Sequence, residues 1–301
     1  MSPGSEPVGL RPMTAADSRA AAALVTRTLE HSYASIGRPS VSPGPSPADD
    51  RLGRAIARLT STDPGGCWVV ERLGELVAVA VAIRRESLWG LALLFVEPSA
   101  QDAGLGRALL ARTLAYGHGC ATKVILASED PRAIRAYARL GLPLYPAVRA
   151  AGTPREVLGA LASEVRSGDR SDLGLVEDVD QALRGSSRAE DVAFLLQDGA
   201  SMLVGTDGQD RGYVLYRSGD GVIDGQPILL GADGDGVARD LLREVLATAA
   251  GPIKLHGLTQ CQRWAIDVAI EAGLDVLPGG PLFMSSPRQP PKSWLPSGVY
   301  F

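Results

Sequence analysis

The segment from residue 91 to residue 116 constrains the fold more than any other part of this 301-residue chain. Residues 91–96 form a continuous apolar run with the length of a strand that is buried on both faces. The run ends just before Pro98, and a loop with the pattern Gln101-x-x-Gly104-x-Gly106 leads into a helix predicted from Gly106 to about Tyr116. Strand, glycine loop and helix in this order predict an α/β fold.

The rest of the first half alternates between helical and strand-like patterns. Thr14 is a plausible N-cap for the first helix, Pro131 suits a first helical turn, and Gly141 suits a helix C-terminus. A loop rich in Pro, Ser and Gly is predicted at 37–50. The predicted helices cover 15–29, 50–60 and 131–140, and the predicted strands cover 67–71 and 76–83, joined at Gly74-Glu75, and 123–127.

The second half repeats this order more weakly. Residues 166–172 resemble residues 11–17 at an offset of 155, and the strand, turn and helix at 228–249 echo 91–116 at an offset of about 130. The offset shrinks by about the length of the Pro/Ser loop and its adjacent short helix. Residues 253–258 and 264–273 complete the second copy. The chain is therefore predicted to contain two domains, 1–150 and 151–301, with a linker somewhere in 147–163.

Composition excludes several classes of protein. Apolar residues make up 45% and charged residues 21% of the chain, which is typical of a folded protein. The longest apolar runs are far shorter than the ~20 residues of a membrane span, and the first residues lack the layout of a secretory signal, so a cytoplasmic protein is expected. Residues 1–150 carry 17 Lys+Arg against 13 Asp+Glu, and residues 151–301 carry 13 against 21. Neither half has the basicity of a nucleic-acid binder.

The glycine loop has the features of an anion-binding site. Glycines let the backbone approach a ligand closely, and the first amides of the helix are unpaired and lie at the positive end of the helix dipole. A phosphate or pyrophosphate binds readily at such a place, and Arg107 can add a charge-assisted hydrogen bond. A turn without a ligand is the alternative. A dinucleotide-binding loop is disfavoured because the expected acidic residue about 20 positions on is missing.

Two motifs resemble those of one family. Val96-x-Pro98-x-x-Gln101-x-x-Gly104-x-Gly106-Arg107 resembles the acetyl-CoA pyrophosphate loop of the GCN5-related N-acetyltransferases (GNAT). The segment from Asp130 through Tyr137 to Gly141-Leu142 resembles that family's second signature. It departs from the signature at Asp130, where Asn is usual, and at Leu142, where Phe is usual.

The resemblance implies a fold and a cosubstrate. The fold is α/β, with two tandem GNAT domains that are each a central mixed β-sheet flanked by helices. The cosubstrate is acetyl-CoA. In this family, backbone groups of the strand before the loop bind the pantetheine arm, here those of Leu94, Phe95 and Val96. Loop amides hold the pyrophosphate, and the matching residues are Gln101, Asp102, Ala103, Gly104, Leu105, Gly106 and Arg107.

The resemblance also implies a mechanism, direct attack of an acceptor amine on acetyl-CoA in a ternary complex. Tyr137 matches the tyrosine that often protonates the departing thiolate, as general acid. No base is fixed by the motif. Glu129, which follows the strand predicted at 123–127, is the candidate base, and Glu86 is another candidate. Trp89, Tyr33 and His31 are within the sequence range of an acceptor pocket, and the acceptor is expected to be a small molecule.

The second copy has lost these features. Asp233 and Asp235 lie in its turn, where they would oppose a polyanion, and Ala269 stands where the first copy has Tyr137. The two aspartates lack the distal Glu of a calcium loop, and no metal site is expected. This copy is predicted to be degenerate and to act as scaffold, as part of the acceptor pocket or as the surface of a homodimer. The aromatic tail that ends in Phe301 is expected to dock onto a domain.

Two alternatives remain open at this stage. One is a non-catalytic acyl-CoA-binding or regulatory protein on the same fold, because no obvious base is present. The other is an acetyltransferase that acts on the N-terminus or a lysine of a protein or peptide. Neither a nucleic acid nor a membrane is expected as a partner in any of these cases.

Overall fold

The computed structural model describes residues 8–35, 47–101, 103–155, 161–217, 227–287, 290–296 and 298–301. Contacts divide the chain into two compact units. The first consists of Met1–Arg84 with Trp89–Cys120, and the second of Arg85–Leu88 with Ala121–Phe301. The two-domain division at residue 150 stays a prediction.

The first unit is built from four strands and three α-helices within the described residues. They are β1 (Val8–Pro12), α1 (Ser18–Ser35), α2 (Pro47–Thr62), β2 (Cys67–Arg72), β3 (Glu75–Arg85), β4 (Leu88–Val96) and α3 (Leu105–Tyr116). The strands lie in the order β1-β2-β3-β4, and β2 is antiparallel to both β1 and β3.

Strand β3 forms the centre of this unit. Residues 78–83 are fully buried, so side chains on both faces of the strand are covered. On one face Ala78 and Ala80 pack with Val70 of β2 and Leu109 of α3. Helices α1 and α2 pack against each other. The continuous apolar sequence of β3 follows from this burial, because a strand covered on both sides has no solvent-facing positions.

The second unit contains the remaining elements. They are β5 (Thr122–Leu126), α4 (Pro131–Ala138), β6 (Leu144–Tyr145), β7 (Val148–Gly152), β8 (Glu164–Gly168), α5 (Leu173–Arg184), α6 (Ala189–Gln197), β9 (Ser201–Asp207), β10 (Asp210–Tyr216), β11 (Pro227–Ala232), α7 (Asp235–Ala247), β12 (Ile253–Leu258), α8 (Arg263–Glu271), β13 (Asp275–Pro278), β14 (Leu282–Ser285) and β15 (Trp294–Leu295).

The last strands of the two sequence copies are exchanged. Strand β14, the last of the second copy before the tail, lies between β5 and β6 of the first copy and is antiparallel to both. Strand β7, the last of the first copy, lies between β12 and β13 of the second copy, again antiparallel to both. Each copy therefore inserts its last strand between two strands of the other copy, which is an intramolecular counterpart of domain swapping.

The remaining strands of the second unit form a sheet in the order β15-β11-β10-β9-β8. Its core is a cluster of buried apolar side chains from these strands, from α7, α8 and β12, and from Ala150 of the exchanged β7. The tail docks onto this sheet as expected, since β15 pairs with β11 and Tyr300 and Phe301 are buried.

The structure gives a physical reason for the repeated sequence at 11–17 and 166–172. Arg11, near the end of β1, forms an ion pair with Asp17 at 2.8 Å. Arg166 of β8 donates a hydrogen bond to Asp172 at 3.0 Å. Both aspartates lie in a short 3-10 turn before the next helix, and the arginine lowers the pKa of each aspartate. The repeated sequence thus makes an equivalent contact in each copy.

Local details correct three expectations. The β2–β3 turn lies at Leu73-Gly74, where both residues have positive φ, one residue earlier than expected. Helix α2 begins at Pro47 inside the predicted loop, and residues 37–46 of that loop lie outside the described residues. The predicted linker contains β7, because the pairing that makes 148–152 a strand comes from residues far away in sequence. Residues 156–160 of the linker are likewise outside the described part.

Candidate functional site

The predicted site residues are distributed over both units. Leu94, Phe95, Val96 and the loop from Gln101 to Arg107 belong to the first unit, whereas Glu129 and Tyr137 belong to the second. Asp102 lies outside the described residues.

The last residues of β4 are held firmly in the first unit. Leu94 and Val96 pack against the core formed by Val70, Ala78, Ala80 and Leu109. The amide of Glu97, directly after the strand, donates to the carbonyl oxygen of Val77 at 2.8 Å. Successive strand residues point to opposite faces, so Phe95 faces away from this core and is half-buried.

Gln101 fastens the loop to the strand. Its side-chain amide donates to the carbonyl oxygen of Val96 at 3.1 Å, and its backbone amide donates to Pro98 at 3.3 Å within a 3-10 turn. Its backbone amide is therefore already engaged. The side chain of Gln101 instead fixes where the loop leaves the strand.

Gly104 and the first turn of α3 leave backbone amides unpaired at the start of the helix. Gly104 precedes the helix with φ of 77°, in the left-handed region that favours glycine. Its carbonyl oxygen accepts from the amide of Ala108 at 3.0 Å. The amides of Leu105, Gly106 and Arg107 have no acceptor among the described residues. Three such amides at the positive end of a helix suit a phosphate or pyrophosphate.

The space around these amides is open. A Cβ atom at Gly104 would meet nothing within 4 Å, and one at Gly106 would meet only Val96 Cγ2, at 3.5 Å. Ala103, Gly104 and Arg107 are exposed, while Leu105 and Gly106 are half-buried. The loop therefore has room for a ligand on the backbone, and the guanidinium of Arg107 is carried by the same first turn.

Tyr137 lies on α4 in the second unit. The helix begins at Asp130, whose carboxylate accepts from the amide of Arg132 at 2.8 Å, and Pro131 is the first helical residue. Although partial burial opposes it, the hydrogen bonds from Arg132 lower the pKa of Asp130. Gly141, with φ of 73°, follows the end of the helix as predicted. Asp130 thus caps the start of the helix, a position that Asp and Asn both favour.

The phenol ring of Tyr137 is buried, with 5% of the residue exposed. Burial, with a contribution from the charge of Asp130, raises the pKa of Tyr137 well above its usual range. No described residue hydrogen-bonds its hydroxyl. This hydroxyl is nevertheless not fully enclosed, because it is absent from the set of enclosed, unpartnered polar atoms in the described part of the chain. A neutral phenol with an unshielded hydroxyl can donate a proton to a ligand.

Glu129 already has a cationic neighbour. Its Oε1 lies 3.6 Å from Nε of Arg149 on the exchanged strand β7, and about a third of the Glu129 side chain is exposed. Glu86, the other candidate base, accepts from the side-chain amide of Gln181 at 2.6 Å and from the amide of Ser187 at 3.1 Å. Both carboxylates therefore take part in tertiary contacts of the second unit.

The residues considered for an acceptor pocket have different environments. Trp89 is fully buried, and its indole N–H donates to the carbonyl oxygen of Thr113 at 2.9 Å, so it is a core residue. Its ring fills the space beside Gly117, where a Cβ would overlap it. His31 is exposed, and the side chain of Tyr33 lies outside the described residues.

In the second copy, the tail contacts the strand end and helix start that correspond to the end of β4 and the start of α3 in the first copy. Strand β11, the counterpart of β4, pairs through Leu230 and Gly231 with β15 of the tail. The amide of Ala232 donates to the carbonyl oxygen of Ser293 at 2.9 Å, and the hydroxyl of Ser293 donates to Asp235 at the start of α7 at 2.6 Å. The strand end and the helix start that would hold a ligand are therefore both bound by the chain itself.

Sequence reasoning missed a buried polar cluster in the first unit. Asp63 is fully buried, and its carboxylate accepts from the amide of Arg84, the hydroxyl of Tyr116 and the hydroxyl of Thr62. These partners are spread over 54 positions of sequence, so no motif could reveal the cluster. Burial, together with the charge of Asp63, raises the pKa of the Cys67 thiol to about 12, as suits a packing cysteine.

No described helix is both long and apolar enough to cross a membrane. No group of three or more His, Cys, Asp or Glu side chains in the described ranges is arranged to hold a metal ion.

Comparison with known proteins supports the fold. Residues 31–142 match the profile of the acetyltransferase (GNAT) family. A candidate acetyltransferase from Pyrococcus horikoshii has 15% identity and a TM-score of 0.76, with 98% of this chain and 96% of that chain covered. A GCN5-related N-acetyltransferase from Sphaerobacter thermophilus has 17% identity and a TM-score of 0.60, with 95% and 98% covered.

A tandem GNAT protein of the clavulanic acid biosynthesis pathway has 13% identity and a TM-score of 0.55 and covers 94% of this chain and 100% of its own. No curated protein matches in sequence. These structural similarities extend over nearly the whole chain, so they show that the fold is the tandem GNAT fold. The predicted fold class is confirmed.

Proposed function

We propose that the chain is an N-acetyltransferase that transfers the acetyl group of acetyl-CoA to an amine, because residues 31–142 match the profile of the acetyltransferase (GNAT) family. The observation that carries the proposal is the start of α3. The amides of Leu105, Gly106 and Arg107 have no acceptor in the described part of the chain, next to Gly104 with its positive φ. A polyanion such as a pyrophosphate is the ligand that such a helix start suits.

In this proposal the loop holds the pyrophosphate of acetyl-CoA. The three amides donate to phosphate oxygens, and Arg107 adds a charge-assisted hydrogen bond. Asp102 and Ala103 complete the loop. Backbone groups of Leu94, Phe95 and Val96 orient the pantetheine arm and the acetyl carbonyl. Gln101 acts by anchoring the loop to Val96.

The reaction is a direct transfer to an amine. The amine nitrogen attacks the thioester carbonyl carbon, a C–N bond forms and the C–S bond breaks. Tyr137 donates its phenolic proton to the departing sulfur and is reprotonated from solvent. Glu129 is the candidate base that takes the proton from the amine. The raised pKa of Tyr137 keeps the phenol protonated at neutral pH, and it requires the thiolate to be comparably desolvated for the transfer to proceed.

Cofactor binding is tested by thermal unfolding with and without acetyl-CoA. We expect stabilisation of about 2.7 kcal/mol at a hundredfold excess over Kd. Gly106→Asp should abolish it, because a carboxylate would face the pyrophosphate. Asp is favourable in the first turn of a helix, so this variant should still fold. Gly106→Ala is the matched control, since a Cβ meets only Val96 there, and it should keep the shift. Absence of any shift with the unmodified chain would refute the proposal.

Catalysis is tested by CoA release with a panel of small amines and peptides. Tyr137→Phe should lower kcat about a hundredfold, as loss of a general acid does, with little change in acetyl-CoA affinity. Glu129→Gln should lower kcat similarly if Glu129 is the base. Arg149→Leu, which removes the ion-pair partner of Glu129, is its control. If Glu129→Gln and Arg149→Leu both lower kcat only slightly and by the same factor, Glu129 is not the base and has a structural role only.

Acyl-CoA binding without turnover is the second candidate function. One observation favours it, namely that Glu86 and Glu129, the two candidate bases, both have partners. This function predicts a thermal shift that depends on Gly106 but no CoA release with any amine. It also predicts that Tyr137→Phe changes nothing that can be measured.

A further inference from the structure

The exchanged strand β14 brings a residue of the second copy next to Tyr137. Phe283 lies at the middle of this strand, opposite Ile125 of β5 on one side and Leu144 of β6 on the other. Its side chain is fully buried. Backbone hydrogen bonds at both ends of the strand, from Ala127 to Pro281 and from Met284 to Pro143, fix its position further.

The rings of Phe283 and Tyr137 meet edge to face. Their centroids are 5.8 Å apart, and the ring planes are inclined by 75°. Aromatic pairs favour this arrangement because the positive edge of one ring faces the negative face of the other. Helix α4, which carries Tyr137, has only eight residues. A short helix contributes little rigidity of its own, so the ring contact adds a constraint on the orientation of the phenol.

We propose that Phe283 is a positioning residue, which holds the phenol of Tyr137 in the orientation from which it donates its proton. The inference rests on the proposed function, because it assigns Tyr137 its role as general acid. It gives the second copy a part in the reaction although that copy has lost the loop and the tyrosine. The last strand of the second copy supplies the surface that the catalytic side chain of the first copy packs against.

The kinetic test compares Phe283→Leu with a control on the same strand. We expect Phe283→Leu to lower kcat about tenfold, since a misplacement of about 1 Å can cost up to a hundredfold, and to leave the KM for acetyl-CoA within twofold. Leu282→Ala is the control, because Leu282 is equally buried but points to the other face of the sheet. It should lower thermal stability without a comparable loss of kcat.

A double variant shows whether Phe283 acts through Tyr137. In a chain that already carries Tyr137→Phe, the additional Phe283→Leu should lower kcat by less than twofold. If Phe283→Leu reduces kcat tenfold in both backgrounds, the residue does not act through the phenol and the proposal is wrong. The proposal is equally wrong if Phe283→Leu leaves kcat unchanged in the otherwise natural chain.

A spectroscopic measurement separates this proposal from the proposed function. In protein labelled with ¹³C-tyrosine, the Tyr137 ring signal is identified by its absence in Tyr137→Phe. Phe283→Leu should displace that signal, because it removes the ring current of Phe283, and Leu282→Ala should not. Catalytic inactivity of the natural chain would refute the proposed function and the catalytic role of Phe283 with it. An unmoved Tyr137 signal would refute the positioning contact alone, even in an active enzyme.

Discussion

The amide of Gly279 donates a hydrogen bond to the carbonyl oxygen of Ala147 at 3.1 Å, between the segments that lead into the two exchanged strands. The next residue, Gly280, is even more closely packed. A Cβ atom there would overlap the carbonyl oxygen of Ala127 and the backbone of Ser128. Segments more than 130 positions apart in sequence thus pass each other backbone against backbone, and glycine is required because it has no side chain.

Gly280→Ala should therefore destabilise the protein. The added methyl group must displace a backbone carbonyl, and overpacking of this kind costs about 1–3 kcal/mol. Urea unfolding measures the loss of free energy. Gly251→Ala is the control, because a Cβ at Gly251 meets nothing within 4 Å, and it should change stability by less than about 0.5 kcal/mol. Equal stability of the two variants would contradict the close crossing.

The strand exchange shows where prediction from the sequence stops. The strand, loop and helix at 88–116 and the capped helix at 131–138 could be predicted because residues close in sequence determine them. The pairing of β14 with β5 could not. A last strand has the same apolar pattern whether it pairs within its own copy or with the other copy, and strand alternation carries no information about its partner.

The candidate site likewise contains residues that the local sequence predicts and contacts that depend on the fold. Gly104 and Gly106 were found from their spacing, and the structure adds the positive φ of Gly104 and the open space around both residues. The contact between Phe283 and Tyr137 and the ion pair between Glu129 and Arg149 depend on the exchanged strands. No local signal precedes them, so they became visible only with the fold.

A buried ion pair within the second unit gives the next prediction. Arg85 makes two hydrogen bonds to Asp191, at 2.7 and 2.8 Å, and Asp191 is completely buried. Asp191→Ala leaves the guanidinium of Arg85 without this partner, and it should lower the free energy of unfolding by about 3–5 kcal/mol. Chemical denaturation measures this. Asp267→Ala breaks an exposed pair with Arg263 and should cost less than about 1 kcal/mol; a similar cost for both would contradict the burial argument.

The charge cluster around Asp180 predicts how stability depends on pH. Asp180 is fully buried, and its carboxylate accepts from Arg188 at 2.8 Å and from the hydroxyl of Tyr213 at 2.7 Å. Arg184 lies 3.3 Å away. Burial alone would raise the pKa of Asp180, but the charges of Arg188 and Arg184 outweigh it and lower the pKa in the folded state.

A carboxyl group whose pKa is lowered by folding stabilises the protein above its unfolded pKa of about 3.9. That stabilisation is lost as the pH falls from about 4 through the lower folded value. Asp180→Asn should be less stable than the natural chain at pH 7 by about 3 kcal/mol, and the difference should shrink below about pH 4. Unfolding curves between pH 7 and pH 3 check this. Asp178→Asn, an exposed residue on the same helix, should show a difference near zero at every pH.

The tail predicts the stoichiometry of cosubstrate binding. In the second copy, β15 pairs with the end of β11, and Ser293 binds both Ala232 and Asp235. The corresponding backbone groups of the first copy are the ones proposed to hold acetyl-CoA. Asp233 and Asp235 add negative charge where the pyrophosphate would lie, which is costly. Isothermal titration should therefore give one acetyl-CoA for each chain, and none with Gly106→Asp.

A variant that ends at Pro291 distinguishes the effect of the tail from the effect of Asp233 and Asp235. It removes the buried rings of Trp294, Tyr300 and Phe301, and it should lower the stability by at least about 3 kcal/mol, the cost of losing one large buried aromatic residue. We expect it still to bind a single acetyl-CoA, because the aspartates remain. A second equivalent bound by this variant would mean that the tail alone blocks the site. Two equivalents bound by the full chain would contradict both explanations.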